Sequence, residues 1–431
     1  MLTIQSLRDA LVQGHYDEML TKLYNRRDAE LAPYRERMLR AADGYLTTFG
    51  KGERDAFALY SAPGRTEIGG NHTDHQRGKV MAGSVDLDAI ACAAPNGTNT
   101  VNVFSEGYGM LKLTLDDLTV RSSAFGTTKA LIRGIIQGVR EQGYEVGGFD
   151  AYVISDVPGG SGLSSSACFE VLIGTAVNGM FAGNQLDMQT IAKIGQMAES
   201  KYFGKPCGLL DQMGCALGGI VSIDFKQQDK PVIKSIAYDF TAVGYVLCII
   251  DTGANHAGLT ADYAAVPAEM KAIAAELGKT VLSEVEESSF YASIPALRKA
   301  VGDRAVLRAM HYYDDCRHVE EQSAALEAGV VDRFLSLVNA SGASSFTKLQ
   351  NISTYRDPAD QPVAVALALA KHLLNGQGAV RVHGGGFAGT IQAYVPADMV
   401  SWFASGMDEV FGAGACRVTF IRPIGGCCMA E

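Results

Sequence analysis

The chain has 431 residues, of which 47% are hydrophobic and 19% charged, with a formal net charge of −10. That length exceeds one compact core and predicts two domains, and the acidic balance excludes a nucleic-acid partner, whose phosphates demand a basic face. Nine cysteines (Cys92, Cys168, Cys207, Cys215, Cys248, Cys316, Cys416, Cys427 and Cys428), odd in number and with no C-x-x-C pair, exclude a disulfide framework and a zinc site. They read as inert core thiols of a cytoplasmic protein.

Residues 1–48 carry helical periodicity, and the first 31 mix Arg, Asp, Glu and Lys into an amphipathic pattern without a signal-peptide core. Residues 57–102 switch to short runs of Val, Ile and Tyr bounded by Gly, Asn and Asp, which predicts strands and turns. Residues 127–143 return to helix, with Leu131, Ile135, Ile136 and Val139 on one stripe. Residues 149–155 alternate as a strand and feed a glycine-rich loop; a helix follows to about Gly179, and Asp187 is placed to cap another reaching about Tyr202. Further strands are predicted at 219–225 and 243–251, then helices at 264–277, 294–310, 316–327 and 363–374. A strand at 379–383, a glycine-rich turn and a strand at 390–395 complete the set. The longest strongly apolar run, 243–250, falls far short of the roughly 20 residues a membrane span needs, so no membrane partner is expected. A domain boundary is placed near residues 205–220, giving approximate domains 1–210 and 211–431.

The loop carries the clearest chemistry. Pro158, Gly159, Gly160, Ser161, Gly162, Leu163, Ser164, Ser165 and Ser166 precede Ala167 and a helix start. Glycine lets the backbone approach a bulky anion, and the first helical turn offers unpaired N–H groups and a positive dipole end. Together these make a seat for phosphate, and the hydroxyls can also serve Mg²⁺, which favours hard oxygen donors. Two other glycine motifs carry no such site. Gly278-Lys279-Thr280 has Ile273 where a P-loop needs glycine. Gly384-Gly385-Gly386-Phe387-Ala388-Gly389 fits G-x-G-x-x-G but runs into a strand pattern, where a dinucleotide fingerprint requires a helix.

Polar residues packed among glycines recur in 61–75, 158–167, 207–212 and 384–389. Asn71, His72 and Asp74 supply, within four residues, the donors and acceptors that a small neutral polyol needs. Asp211 sits among Leu209, Leu210 and Met213, either as a polar residue of a helix or as a carboxylate held for general-base work. An arginine such as Arg65 beside it would keep its pKa low. Its work would then be to orient a hydroxyl and accept the proton late, since phosphoryl transfer depends mainly on positioning and charge neutralisation.

Ala62-Pro63-Gly64-Arg65, His72-Thr73-Asp74, the loop 158–167 and Gly208-Leu209-Leu210-Asp211-Gln212 occur in the order and spacing of one family. Over roughly residues 45–430 the chain resembles the GHMP small-molecule kinases and, among them, the galactokinases. The resemblance implies an α+β, two-domain fold with mixed sheets and packed helices, with ATP and sugar in the cleft between domains. It implies ATP and Mg²⁺ as cofactors and galactose as the acceptor, phosphorylated at the anomeric hydroxyl. Asp211 would act as base, and Arg65 would stabilise that carboxylate and the transferring phosphoryl group. Ser166 and Glu199, twelve residues before Asp211, would hold Mg²⁺, with the backbone of 160–165 around the phosphates. Asn71, His72, Asp74, Gly208 and Tyr263 would line the sugar pocket, and 384–389 would pack against the site. His318 resembles a family helix segment and is taken as structural.

Two departures concern the sugar. The family usually carries glutamate before His-Thr-Asp, contacting a hydroxyl at the far end of the ring, and here that residue is Asn71. The arginine-rich stretch that commonly follows the pocket tyrosine is replaced by Ala264-Ala265-Val266-Pro267. A 1-kinase for N-acetylgalactosamine, arabinose or a uronic acid is therefore the alternative. A silent galactose sensor is a further one, set against the intact Ser165, Ser166 and Ala167.

Overall fold

The computed structural model of the chain describes residues 2–25, 30–159, 162–227, 230–254, 258–354 and 357–431. Among these, β1 (Ala58–Gly69), β2 (Lys79–Pro95), β3 (Thr100–Ser105), β4 (Gly109–Thr114), β5 (Phe149–Ser155), β6 (Ile220–Asp224) and β7 (Val232–Ile236) belong to one sheet. A second sheet is built from β8 (Tyr245–Asp251), β9 (Ala379–His383), β10 (Thr390–Pro396) and β11 (Cys416–Thr419), ordered β11-β8-β10-β9. The last strand, β12 (Cys427–Ala430), returns to the first sheet, whose order is β12-β1-β2-β5-β3-β4 with β6 and β7 branching from β2. β3 and β5 pair in parallel and every other pair is antiparallel, so the first sheet is mixed. β6, β7 and β12 all lie beyond residue 210, so the large sheet draws on both sides of the expected boundary.

Side chains alternate across a strand, and here both faces are covered. Ala89, Ala91 and Ala93 of β2, with Ala151 and Val153 of β5, enter the main core beneath the helices Thr128–Glu141, Ser165–Ala182 and Met188–Met197. The intervening Ile90, Cys92 and Ala94, with Tyr152 and Ile154, face the N-terminal helices Ile4–Val12, Asp17–Tyr24 and Ala32–Phe49. The amphipathic stripe of residues 1–48 thus has its apolar counterpart. Asp88, on the same strand and fully buried, ties the layers together. It accepts from Arg422 at 2.7 Å, Arg37 at 2.6 Å and the Tyr24 hydroxyl at 2.7 Å.

Helix Ser165–Ala182 is long and apolar enough to cross a membrane, but two-thirds of it is buried inside the protein. Asp187 caps Met188–Met197 through the Thr190 N–H at 2.8 Å, and the chain continues as a π turn, Ala198–Phe203. The helix predicted at 294–310 is two helices, Glu287–Val301 and Asp303–Glu327, parted by Gly302 at φ +88°. Helices Val331–Ser344 and Val400–Phe411 lie outside the predicted set. In the first, buried Ser341, Gly342 and Ser344 interrupt the apolar stripe; a Cβ at Gly342 would meet the Val380 carbonyl at 2.9 Å. The two glycine motifs set aside above lie as expected: Gly278 follows the end of helix Thr260–Glu276, and 384–389 runs into β10. All nine cysteines are free; burial pushes the Cys168, Cys316 and Cys428 thiols up to about 12.

Candidate active site

Arg65 is delivered by an irregularity in β1. Register against β2 shifts between Pro63 and Arg65, and a Cβ at Gly64 would meet the Leu163 carbonyl at 2.9 Å. Glycine there lets the loop 158–167 lie against the strand, and the Arg65 N–H donates to that carbonyl at 3.0 Å. The guanidinium, 6% exposed, donates to the Gly162 carbonyl and to Asp211 Oδ1, from Nε at 2.8 Å and Nη2 at 2.6 Å. The Ser164 hydroxyl donates to the other Asp211 oxygen at 2.5 Å. Burial pushes the Asp211 carboxyl up, but Arg65 and the Ser164 hydroxyl outweigh it and hold the group below its ordinary value. Two residues far apart in the chain, Arg65 and Ser164, thus share the Asp211 carboxylate.

Ser164 has the left-handed conformation, φ +55°, and its side chain leaves the helix Ser165–Ala182 uncapped. The N–H groups of the first turn therefore remain for an anion. Ser165 and Ser166 form the shared wall of two cavities. The smaller, about 230 Å³, is lined by Arg65, Gly162, Ser164, Lys205, Asp211, His383, Thr390 and part of 384–389. The larger, about 730 Å³, runs past Pro158 and Gly159 to Glu106, Tyr108, Leu131, Phe169 and Phe203. Gly160 and Ser161 lie outside the described residues.

Asn71, His72 and Tyr263 gather around 384–389, while Asp74 and Gly208 face each other. His72, at φ +58°, contacts the Gly385 carbonyl from Nε2 at 2.9 Å. Burial, with His75 nearby, pushes its imidazole down to about 4. The Tyr263 hydroxyl donates to the Gly386 carbonyl at 2.7 Å; its ring meets Phe387 edge-on, and burial pushes its pKa up to about 12. Asp74 is half-buried beside Gly208, where a Cβ would lie 2.1 Å from Asp74 Oδ2. Asn71 departs from its expected place in the pocket. It is fully buried, with Nδ2 donating to Glu67 at 2.9 Å and Gly384 at 2.7 Å. Its Oδ1 accepts from Asn351 at 2.7 Å and Ser345 at 3.3 Å, which leaves no donor or acceptor for a hydroxyl of a ligand. Asn71 is a clamp on the glycine segment. His318 bonds Asp315 at 3.2 Å on its own helix, as a structural residue does.

Glu199 is buried in the π turn. The Gln212 amide donates to Glu199 Oε2 at 3.0 Å and to Glu170 Oε2 at 2.9 Å, bridging two carboxyl groups that would otherwise repel. Burial and the neighbouring Glu199 push the Glu170 carboxyl well up. Lys205 takes Glu199 Oε1 at 3.0 Å.

Residues 130–219 match the GHMP kinases N terminal domain, and residues 44–95 match the galactokinase galactose-binding signature. A galactokinase of Streptomyces coelicolor is 30% identical over 366 residues, covering 83% of this chain and 90% of that protein. The chain belongs to the galactokinase family. Its fold is that of the Lactococcus lactis galactokinase complexed with galactose, with a TM-score of 0.76, 23% identity and coverage of 90% of this chain and 99% of that one. The Methanococcus jannaschii mevalonate kinase, at 16% identity, shares the fold with a TM-score of 0.61 over 86% of this chain and 100% of that one. As a galactokinase-family member the chain is a sugar kinase, a phosphotransferase with an alcohol acceptor and ATP as its phosphoryl donor.

Lys205, His383 and Thr390 line the small cavity without having been singled out in the sequence. Lys205 stood six residues before Asp211 as the one basic side chain between Tyr202 and Asp211, a usable signal. His383 and Thr390, at the facing ends of β9 and β10, carried none.

Proposed function

We propose that this galactokinase-family enzyme transfers the γ-phosphoryl group of ATP to the anomeric hydroxyl of D-galactose, giving α-D-galactose 1-phosphate and ADP. The observation that carries the reading is the Asp211 carboxylate, held by Arg65 and Ser164 at the mouth of the phosphate cradle. The phosphates would rest on the uncapped helix Ser165–Ala182, and the base and ribose would lie along the larger cavity against Tyr108, Phe169 and Phe203. His72, Asp74, Gly208 and Tyr263 would contact the sugar, while Asn71 acts at one remove by holding the Gly384 carbonyl.

The lowered pKa of Asp211 keeps it charged and a poor resting place for a proton. It would therefore accept a hydrogen bond from the sugar hydroxyl, orient the oxygen toward the γ-phosphorus, and take the proton as the new O–P bond forms. The bond from phosphorus to the β–γ bridging oxygen breaks, and ADP leaves with that electron pair. Arg65 would keep the carboxylate in line and face the charge on the transferring group. The Ser166 hydroxyl at the cavity wall and the Glu199 carboxylate are hard oxygen donors and fit Mg²⁺. Mg²⁺ held there would neutralise phosphate charge.

The test is a panel of galactose, N-acetylgalactosamine, arabinose, galacturonate and glucose at equal concentration. ADP release is followed, and the product is assigned by phosphorus NMR. Galactose should rank first with phosphate on C1; galactose ranking far below another sugar overturns the assignment of substrate.

A further inference from the structure

We infer that Lys205 is a phosphate-contacting residue of this kinase, parked on Glu199 until nucleotide arrives. The inference rests on the reading of the small cavity as the site of phosphoryl transfer. Two cationic side chains line that cavity among the described residues, Arg65 and Lys205. Arg65 is committed, with contacts to both Asp211 and the Gly162 carbonyl and only 6% of its surface exposed. Lys205 is not. Its side chain is 63% exposed and spends one of three N–H donors, on Glu199 Oε1. Its backbone N–H donates to the Glu199 main-chain carbonyl at 3.2 Å and its ammonium reaches the Glu199 carboxylate, while the residue lines the cavity.

Solvent weakens an ion pair whose ammonium is so exposed, and Glu199 keeps the Gln212 amide as a second partner, so Lys205 can release the carboxylate. ATP brings up to four negative charges into a cavity whose other cation already faces Asp211, and an ammonium on a long stem can turn from Glu199 to a phosphate oxygen. A divalent cation at Glu199 would compete with the ammonium for the same oxygen and drive that turn. Lys205 would then stand across the cradle from Arg65, where charge builds on the transferring group.

The experiment is Lys205→Met, which keeps the stem and removes the charge, with Lys205→Arg as the charge-retaining control. ATP affinity is measured by calorimetry in EDTA and again with Mg²⁺, galactose affinity separately, and kcat by ADP release. In EDTA, ATP should bind Lys205→Met about ten-fold more weakly than the parent, the factor that one charged contact worth about 1.4 kcal/mol makes. Its kcat should fall at least ten-fold, galactose affinity should hold, and Lys205→Arg should recover most of the ATP affinity. Half-saturation by Mg²⁺ should stay or move lower, because its competitor for Glu199 is gone. Unchanged ATP affinity in EDTA, or a Mg²⁺ requirement that rises while ATP affinity holds, overturns the inference and leaves Lys205 a counter-ion of Glu199. Loss of ATP affinity in Lys205→Met while the parent fails to phosphorylate galactose would sink the substrate reading and keep this one.

Discussion

Replacing Gly208 by alanine tests the proposed sugar half of the site apart from the proposed nucleotide half. The backbone at Gly208 is not left-handed, so alanine fits its conformation. The added Cβ would lie 2.1 Å from Asp74 Oδ2 and 3.0 Å from its Cγ. Ordinary contacts between heavy atoms need about 3.5 Å, so the carboxylate must move by roughly 1 Å or more. It has little choice of direction, because its other oxygen is held by the His75 N–H at 2.9 Å. If Asp74 accepts from a sugar hydroxyl, losing that charged hydrogen bond costs about 1.5–3 kcal/mol, or roughly ten- to 150-fold in affinity. The assay is galactose binding by calorimetry and KM by ADP release, with ATP binding and thermal unfolding as controls. Galactose Kd and KM should both rise within that range, while ATP Kd stays and Tm moves by no more than a few degrees. A folded Gly208→Ala with galactose KM inside two-fold of the parent would refute the placement of Asp74 in the sugar site.

Asp211→Asn keeps the shape and one acceptor for Arg65 but loses the base; kcat should fall by about 10²–10⁴ with ATP affinity retained, and more than a tenth of parental turnover would remove the role. His72 titrates near 4 when folded against an ordinary value of 6.5, so the unfolded chain binds its proton first as pH falls. Its contribution to stability is complete above pH 6.5 and is lost down to about 4, with a slope of up to about 1.4 kcal/mol per pH unit. His72→Gln should flatten denaturant-derived stability across that window, and an unchanged slope would contradict the buried neutral imidazole. Gln212→Leu leaves Glu170 and Glu199 without their shared donor and should cost about 1–3 kcal/mol for the carboxyl groups left unsatisfied. Urea unfolding at neutral pH checks this, and a loss below 0.5 kcal/mol would deny the bridge.

Much of the site was legible because its requirements are local. Glycine and serine before a helix start offer an anion a seat through geometry within a few residues, so residue type alone was enough to single out the loop 158–167 as the candidate. The Arg65–Asp211 pairing was expected from resemblance and is realised at 2.6 Å. Asn71 was misplaced because residue type alone cannot reveal that Glu67, Gly384, Ser345 and Asn351 use up its amide. Helix Val331–Ser344 escaped for a similar reason: Gly342 breaks its apolar stripe because the strand at Val380 and Arg381 lies where a Cβ would stand.

By itself the sequence determined the short-range features: helix caps such as Asp187, the alternation that gives β1, β2 and β5 two buried faces, and the helix start that follows the glycine- and serine-rich loop. These follow from bonding and periodicity within a few residues. The tertiary structure alone decided that β12 returns to pair with β1, that Gly64 lets the loop carbonyl reach Arg65, and that Lys205 lies between Glu199 and the cavity. Those depend on contacts between residues remote in the chain, whose distances are set by the packing of whole layers and by no local preference.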